Sequence, residues 1–562
     1  VQLDFNPKTG LYFVKVPRSE PRNINTLMKA HGLDFSQSAS TPDTAVLFTG
    51  EPYAAVSFYD HATDRARAQL SGLQSVIEQS WAKESGGHIK CPMDQELAPF
   101  QTCSVEYALK RNNTLIGDQP GLGKTPIAIC FANEIAAKRV LVICPANIRI
   151  QWVNRIRTWS TMRYPYIVYP VLSGRHGVHP DAQWTVVSYD LARTEAIGKS
   201  LSELKPDLVI LDEAHYLKTI DSGRTQAVFG DHTGWCKKAI KNGKHIVGYE
   251  KLFRALSANC GAVLALTGTP LPNRPREAYT LARNLCFDAI DWMSEDKFGE
   301  RFNPVARITK ERADGTEYTF TREEVGRAGE LQARLRGNFM VRHLKRDVLT
   351  QLKLPVFNLF QVEETKEVRQ VLEAESLLDI QPEDFEADEP KILLGHIAVI
   401  RKQMGIAIAP QVADYAEDCL AGGEDKLVIF AWHIEVLNIL QRLLGAKHGV
   451  VRIDGSTSTN QRRDAVLAFQ HDPRIQIMIG NTLSLGTGTD GLQEVSCHAL
   501  LAEPEWVPGN NEQAIDRLDR MGQHRTVQAD LFVAPGSLLE KILASSLRKR
   551  QNTNKALDAK AV

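Results

Sequence analysis

The stretch Gly117-Asp-Gln-Pro-Gly-Leu-Gly-Lys-Thr125 combines residues that suit a phosphate. Gly121 and Gly123 permit a tight turn with inward-facing N–H groups, Lys124 supplies a cation for β/γ oxygens, and the Thr125 hydroxyl suits Mg2+. The strict pattern G-x-x-x-x-G-K-[ST] is broken, because Asp118 stands where its first glycine belongs. A plain glycine turn would also accept these residues. A second group comes from DLVILDEAHYLK, an apolar run that ends on Asp212, Glu213 and His215. Asp212 there suits Mg2+, and Glu213 beside it suits orienting and deprotonating a water. The simpler reading is an acidic helix start after a strand. Taken together, the two groups point to a nucleotide hydrolysed with Mg2+.

Such residues need strands that end on one crevice. NTLIG before the loop reads as a strand, and TPIAICFANEIAAK after it has helical spacing. VLVICP, TVVSY, DLVILDEAH and AVLALTGTP alternate with helical stretches, and KLVIFAW, VVRID, IQIMIGNT and CHALLAEP repeat the pattern. Buried strands alternating with helices describe a parallel α/β sheet with ligands beyond the strand ends. The expected fold class is α/β: two lobes in tandem with helical insertions, plus a small N-terminal accessory α+β domain. Its boundaries are 1–90 for the accessory domain, with a helix around Ala66 to Lys83, and 91–350 for the ATP-binding lobe. That lobe carries an insertion near 285–345, and the second lobe with a basic tail covers 351–562.

Within the insertion, a hairpin is expected to turn at Asp314-Gly315, and GELQARLRGNFMVRHLKRDV (329–348) reads as helical. Residues 381–390, with five carboxylates, read as a solvated linker. The basic run 236–254 suits either a phosphate-binding insertion or the solvated face of a helix. The C-terminal helix is expected to fray into its basic end.

At 562 residues, with 43% hydrophobic and 24% charged, the chain is suited to several soluble domains. No apolar run approaches the roughly 18–20 residues of a membrane span, and the N-terminal residues lack the order of a secretory signal. Nine cysteines without a C-x-x-C pair read as reduced thiols in an intracellular protein. Lys plus Arg equals Asp plus Glu at 67 each, so a polyanion must be met by a local groove.

GLGKT, DEAH and LALTGTP in this order resemble superfamily-two helicase-like ATPases. KLVIFAWHIEVLNIL, IDGSTSTNQRRDAVLAFQ and EQAIDRLDRMGQHR are similar to the Swi/Snf family of DNA translocases, in the compact annealing-helicase form. The resemblance covers about residues 95–545 and implies two RecA-like lobes. In that family an aspartate at the position of Asp118 is common, whereas Gln119 and Pro120 depart from the usual Glu and Met. The resemblance implies that Gln101 reads adenine and that His215 joins the nucleotide-binding set. It also implies that Gln513, Arg517 and Arg520 act from the second lobe, the arginines worth roughly 10³-fold or more in rate. Structurally, Asp516 and Asp519 would instead make those arginines a surface ion-pair ladder.

Candidate DNA-backbone contacts are Arg149, Trp152, Ser188, Tyr189, Thr267, Thr269, His433, Thr482 and Ser484, each also explicable as a loop residue at a strand end. NTLSLGTGTDGLQ takes the place of the family's coupling loop, with Gly488 and Gly491 in an open register, and EPEWVP resembles its acidic-then-WNP element. The implied partner is duplex or branched DNA bound without regard to sequence, by a chain that acts as a monomer and not in a membrane. Two other readings remain open: a strand-separating DNA or RNA helicase, and a remodelling module that binds a protein such as a polymerase.

Overall fold

Apolar runs of five residues build the centre of the first lobe. VLVIC (Val140–Cys144), LVILD (Leu208–Asp212) and AVLAL (Ala262–Leu266) are buried at every position, as strands covered on both faces must be. The computed structural model describes all residues except 20, 38, 164, 176, 243–244, 312–316, 378–392, 487–488, 506–507 and 559–562. The expected Asp314-Gly315 turn, the linker 381–390, Gly488 and the Trp506-Val507 pair therefore lie outside the described residues.

The first sheet runs Met340–Val341, Asn113–Ile116, Ala262–Leu266, Leu208–Asp212, Val140–Cys144, Trp184–Ser188, Val168–Pro170, all parallel. Register sets the site: Leu266 pairs with Ile116 on one side and Asp212 on the other. The loops that follow these three strands consequently open side by side. The second sheet is also parallel, in the order Val356–Gln361, Gln528–Val533, His498–Leu501, Leu427–Ala431, Ile475–Asn481, Gly449–Ile453.

Two segments depart from expectation. The helical reading of 329–348 holds over Ala328–Asn338 and again over the short turn Lys345–Val348, but not between them. Gly337 and Asn338 are weak helix formers at its end, and Met340 and Val341 then pair with Leu115 and Ile116 as the sheet's edge strand. The basic run 236–254 is not helical. It is an antiparallel hairpin, Trp235–Asn242 with His245–Arg254.

The accessory domain is a four-stranded antiparallel sheet, Gln2–Asn6, Leu11–Pro17, Thr44–Thr49 and Asp34–Ser36 in spatial order, crossed by the helix Asp64–Gln79. Thr63 caps that helix by accepting from the Ala66 N–H. The domain docks on Ala328–Asn338: Ala333 enters its core, and Arg334 donates to Glu330 and to Glu51 at 2.7 Å each.

The last helix, Leu538–Asp558, is where expectation fails most usefully. It leaves the second lobe and ends against the first, with Ala556 and Leu557 inside that lobe's core. Asp558 accepts from Arg342 through both oxygens, at 2.9 and 3.1 Å, and lies 3.6 Å from Arg336. Through residue 558 the end is anchored, not frayed. Both arginines are buried, so removing the carboxylate strands two cations. We expect Asp558→Ala to lower unfolding free energy by about 3 kcal/mol, read by urea denaturation, whereas Lys555→Ala changes it little.

Candidate nucleotide site between the lobes

Gly121 and Gly123 both adopt positive φ, at 83° and 74°, and Gly123 precedes the helix Lys124–Glu134. A side chain is excluded at either place by more than backbone strain. A Cβ on Gly123 would sit 2.3 Å from the Gln101 amide, and one on Gly121 would sit 2.7 Å from the Cβ of Arg520 in the second lobe. The loop thus offers bare backbone at the base of a helix, where N–H groups and the helix dipole favour an anion.

Lys124 donates from Nζ to the carbonyls of Asp118 and Gln119, at 2.9 and 3.3 Å. Burial presses its pKa below the ordinary lysine range, against the opposing charges of Glu213, Asp118 and Asp212. Asp118, unassigned by the strict motif, is fully buried. Its Oδ1 accepts from the His343 N–H at 2.8 Å and meets His343 Nδ1 at 2.9 Å, while His343 Nε2 faces the Ala82 carbonyl at 2.8 Å. A ring with an acceptor at each nitrogen is best satisfied as imidazolium. Burial alone would lower the His343 pKa, but Asp118 outweighs it and the net direction is upward. Burial likewise opposes ionisation of Asp118, and His343 carries it below the usual carboxylate range.

The two departures in the loop have structural work of their own. Gln119 accepts from the Lys345 N–H at 2.7 Å, and Pro120 packs on Gly268, whose added Cβ would lie 2.5 Å from its ring. Arg342 completes this corner by donating to the Gly117 carbonyl at 2.6 Å.

Asp212 ends its strand with Oδ2 accepting from the Trp152 indole at 2.6 Å and Oδ1 from the Glu213 N–H at 2.9 Å. Burial and the neighbouring Glu213 charge raise its pKa. Glu213 sits at φ 51°, a strained conformation for a residue other than glycine. Its Oε2 is buried without a hydrogen bond and lies 3.2 Å from His215 Nδ1. Burial would raise its pKa, yet His215, Lys124 and Arg517 bring it below the ordinary value. His215 Nδ1 also lies 3.1 Å from the Thr267 hydroxyl, which accepts from the Thr269 N–H at 3.1 Å. The carboxylate motif and TGTP are therefore one polar chain.

The second lobe closes over this edge. Arg517 and Arg520 lie in turns just beyond the helix Pro508–Ile515, not within it. Arg517 donates to the carbonyls of Thr489 and Gln513, at 3.1 and 3.3 Å. Burial, with Arg520 beside it, pulls its pKa down to about 10. Arg520 is paired with Asp490, and Asp490 also accepts from Gln151 at 2.9 Å and Arg155 at 3.0 Å in the first lobe. The alternative ladder with Asp516 and Asp519 does not form; those carboxylates instead hold Lys345 across the cleft. Gln513 is buried near this corner, and a Cβ on Gly509 would touch Thr269 at 3.4 Å.

Several candidate DNA contacts are committed elsewhere. Trp152 is 2% exposed and serves Asp212. Tyr189 is buried and donates to the Asp212 carbonyl at 2.9 Å, and Ser188 is a buried cap for the turn after it. Thr267 is buried in the relay, and buried Thr482 donates to the Ala431 carbonyl at 3.3 Å. Arg149 ties the carbonyls of Ala146, Val171 and Leu172 together. His433 meets Glu503 at 2.6 Å, and Gln101 bridges the Ala98 N–H and the Leu122 carbonyl at 2.9 Å each. Thr269 and Ser484 stay partly accessible.

His343, Lys345 and Asp490 escaped the sequence reading. The first two lay in a run read as helix, and Asp490 in a loop of open register. The fit to a nucleotide rests on the loop's bare backbone, the Lys124 ammonium held by two carbonyls, and the buried Glu213 carboxylate close enough to Lys124 to act on its charge. Gly121, Gly123, Lys124 and Thr125 would hold the phosphates, and Thr125 and Asp212 would hold Mg2+.

A model of the SNF2-related domain matches residues 66–233, and one of the helicase conserved C-terminal domain matches 412–522. The first spans the phosphate loop and carboxylate motif; the second spans both arginines. The mouse DNA annealing helicase and endonuclease ZRANB3 is 27% identical over 478 residues, covering 83% of this chain and 41% of that protein. The Xenopus tropicalis SWI/SNF-related matrix-associated actin-dependent regulator of chromatin subfamily A-like protein 1 is 27% identical over 482 residues, covering 84% of this chain and 46% of that protein. The chain thus spans less than half the length of these relatives. The Sulfolobus solfataricus SWI2/SNF2 ATPase core in complex with dsDNA is 18% identical, covering 85% of this chain and 99% of that one, at a TM-score of 0.36.

Two predictions follow from the geometry. The raised His343 pKa means its contribution to stability is full below about pH 6.5 and declines as pH rises through the folded value. The unfolding free energy should fall on that alkaline side, and His343→Asn should flatten the slope in urea titrations from pH 6 to 9. Trp152→Phe keeps the ring but removes the bond to Asp212; we expect about a tenfold lower kcat with near-parent nucleotide affinity and DNA affinity.

Proposed function

We propose that this chain, which joins an SNF2-related domain to a helicase conserved C-terminal domain, is an ATP- and Mg2+-dependent motor on double-stranded DNA. In this reading it remodels or reanneals branched structures inside the cell, acting as a monomer. The observation that carries it is the approach of Arg520 to Gly121 across the cleft, with Arg517 acting electrostatically on Glu213.

Bound ATP with Mg2+ supplies the phosphoanhydride bond and the charge neutralisation at its oxygens. Lys124 exchanges its two carbonyl partners for phosphate oxygens, and the backbone of the loop orients them. Glu213, kept ionised beside His215, accepts a proton from water. Arg517 and Arg520 bring guanidinium charge to the γ-phosphate side, a term realised only when the lobes are closed. Loss of that charge loosens closure, and the change passes through Lys345, Asp490 and the His215–Thr267–Thr269 chain.

Duplex DNA as the track is supported by the family of the two domains. The relative ZRANB3 carries the name of a DNA annealing helicase and endonuclease. The balanced overall charge suits local, sequence-independent phosphate contacts. Among the described residues no helix is long and apolar enough to cross a membrane.

ATP turnover measured with linear duplex, forked DNA, single strands and RNA decides the reading. Duplex or forked DNA should stimulate turnover. Lys124→Ala should remove it, and Arg520→Ala should lower kcat by about 10³-fold while leaving nucleotide binding near parent. Strong stimulation by RNA alone, or processive strand separation, would replace this reading with that of a strand-separating helicase.

A further inference from the structure

The hairpin Trp235–Asn242 with His245–Arg254 has no part in the nucleotide site. Between Trp235 and Arg254 the sequence holds six Lys or Arg and one Glu, in a chain whose net charge is zero. Pairing sorts these residues by face. Trp235 lies opposite Arg254, Lys237 opposite Lys251, and Ala239 opposite Tyr249, so cations and aromatic rings share one side. The Lys251 ammonium and the Arg254 guanidinium stand 5.1 and 5.2 Å from the Trp235 ring. Tyr249, farther out on the same side, is 63% exposed.

The other side at the root is buried. Cys236 and Phe253 enter the first lobe's core, and the Phe253 ring is seated so closely on Gly198 that an added Cβ would lie 2.3 Å from it. This seat fixes the hairpin's direction relative to the motor. Its first strand packs on the short helix Gly223–Phe229, whose opposite end borders a groove of about 470 Å3. Arg193, Lys218 and Arg224 line that groove from the first lobe and Asn510 from the second. Hairpin and inter-lobe groove are thus separated by about 10 Å, the length of seven helical residues.

We propose that the outer face of this hairpin binds an unpaired nucleic-acid strand where it leaves a duplex. Tyr249 stacks on a base, and Lys251 and Arg254 follow the backbone. A tyrosine so exposed, beside cations and away from any core, offers a π-face that only an unstacked base can use; paired bases keep their faces to each other. Lysine and arginine alone would serve duplex and single strand alike. The aromatic ring therefore turns a basic arm into one that distinguishes a fork from linear duplex. The proposal rests on the DNA-motor reading for its substrate, but its test does not need turnover.

The experiment uses the full chain with fluorescein-labelled oligothymidylate, a fork with one single-stranded arm, and linear duplex. Binding is read by anisotropy without nucleotide, and ATP turnover is read in parallel. Tyr249→Ala should weaken binding to oligothymidylate and fork by about fivefold or more, with Tyr249→Phe near parent. Lys251→Glu should weaken the same two probes and make their loss with salt shallower. Linear-duplex affinity, duplex-stimulated turnover and thermal midpoint should stay at parent values for Tyr249→Ala. Unchanged binding of all three probes, or an equal loss on linear duplex, overturns the proposal and leaves the hairpin as a surface for a protein or as a general phosphate contact. A parent chain that no DNA stimulates defeats the motor reading instead, while the anisotropy series still decides the hairpin.

Discussion

Charge taken out of water is the constraint on which the cleft depends. Lys124, Arg517, Arg520, Asp212 and Glu213 meet in one crevice, and none of them is held there by apolar packing. An unpaired buried charge costs several kcal/mol, so each must be answered by another. Burial drives Lys124 and Arg517 toward neutrality and Asp212 toward protonation; Glu213 stays ionised because His215, Lys124 and Arg517 surround it. A site tuned in this way is sensitive to any added polyanion, since new negative charge relieves the cations and new positive charge relieves the carboxylates.

The same constraint explains why distant parts of the chain converge on the phosphate loop. Asp118 needs a cation, and His343 supplies it from beyond the edge strand Met340–Val341. Arg342, next in the chain, holds the Gly117 carbonyl and takes the Asp558 carboxylate in return. The loop's resting shape is therefore set by residues more than two hundred positions away. The aspartate that breaks the strict phosphate-loop pattern is the anchor of that arrangement.

Sequence carried the fold well where local and tertiary preferences agree. Buried β-branched runs and the glycine turn before Lys124 each have one cheap conformation. It failed where a short element depends on its neighbours. Met340–Val341 is too short to declare itself, and it is a strand because Leu115 and Ile116 offer an unpaired edge. The basic run became a hairpin because Cys236 and Phe253 find a core at its root, a contact that charge counting does not register. At the site, residue types that do chemistry were legible, whereas their partners were not. Trp152 reads in the sequence as a candidate DNA-backbone contact and proves to be the donor to Asp212, and no spacing rule links residues sixty positions apart.

The named contacts between lobes divide by chemistry, and the division has mechanical consequences. At the cleft they are ionic or polar: Lys345 with Asp516 and Asp519, and Asp490 with Gln151 and Arg155. Such pairs regain water when the cleft opens, which hydrocarbon cannot do. Ala556 and Leu557 are different, because they sit in the first lobe's apolar core and bring Asp558 to two buried arginines. Withdrawing them exposes hydrocarbon and strands charge together. The cleft edge is thus the ionic part of the contact between lobes, and the end of the last helix its apolar part. Arg520 has one guanidinium to share between Asp490 and a phosphate, so an anion that recruits it also frees Asp490. That release is felt on the first-lobe helix carrying Trp152, and thus at the carboxylate that Trp152 holds.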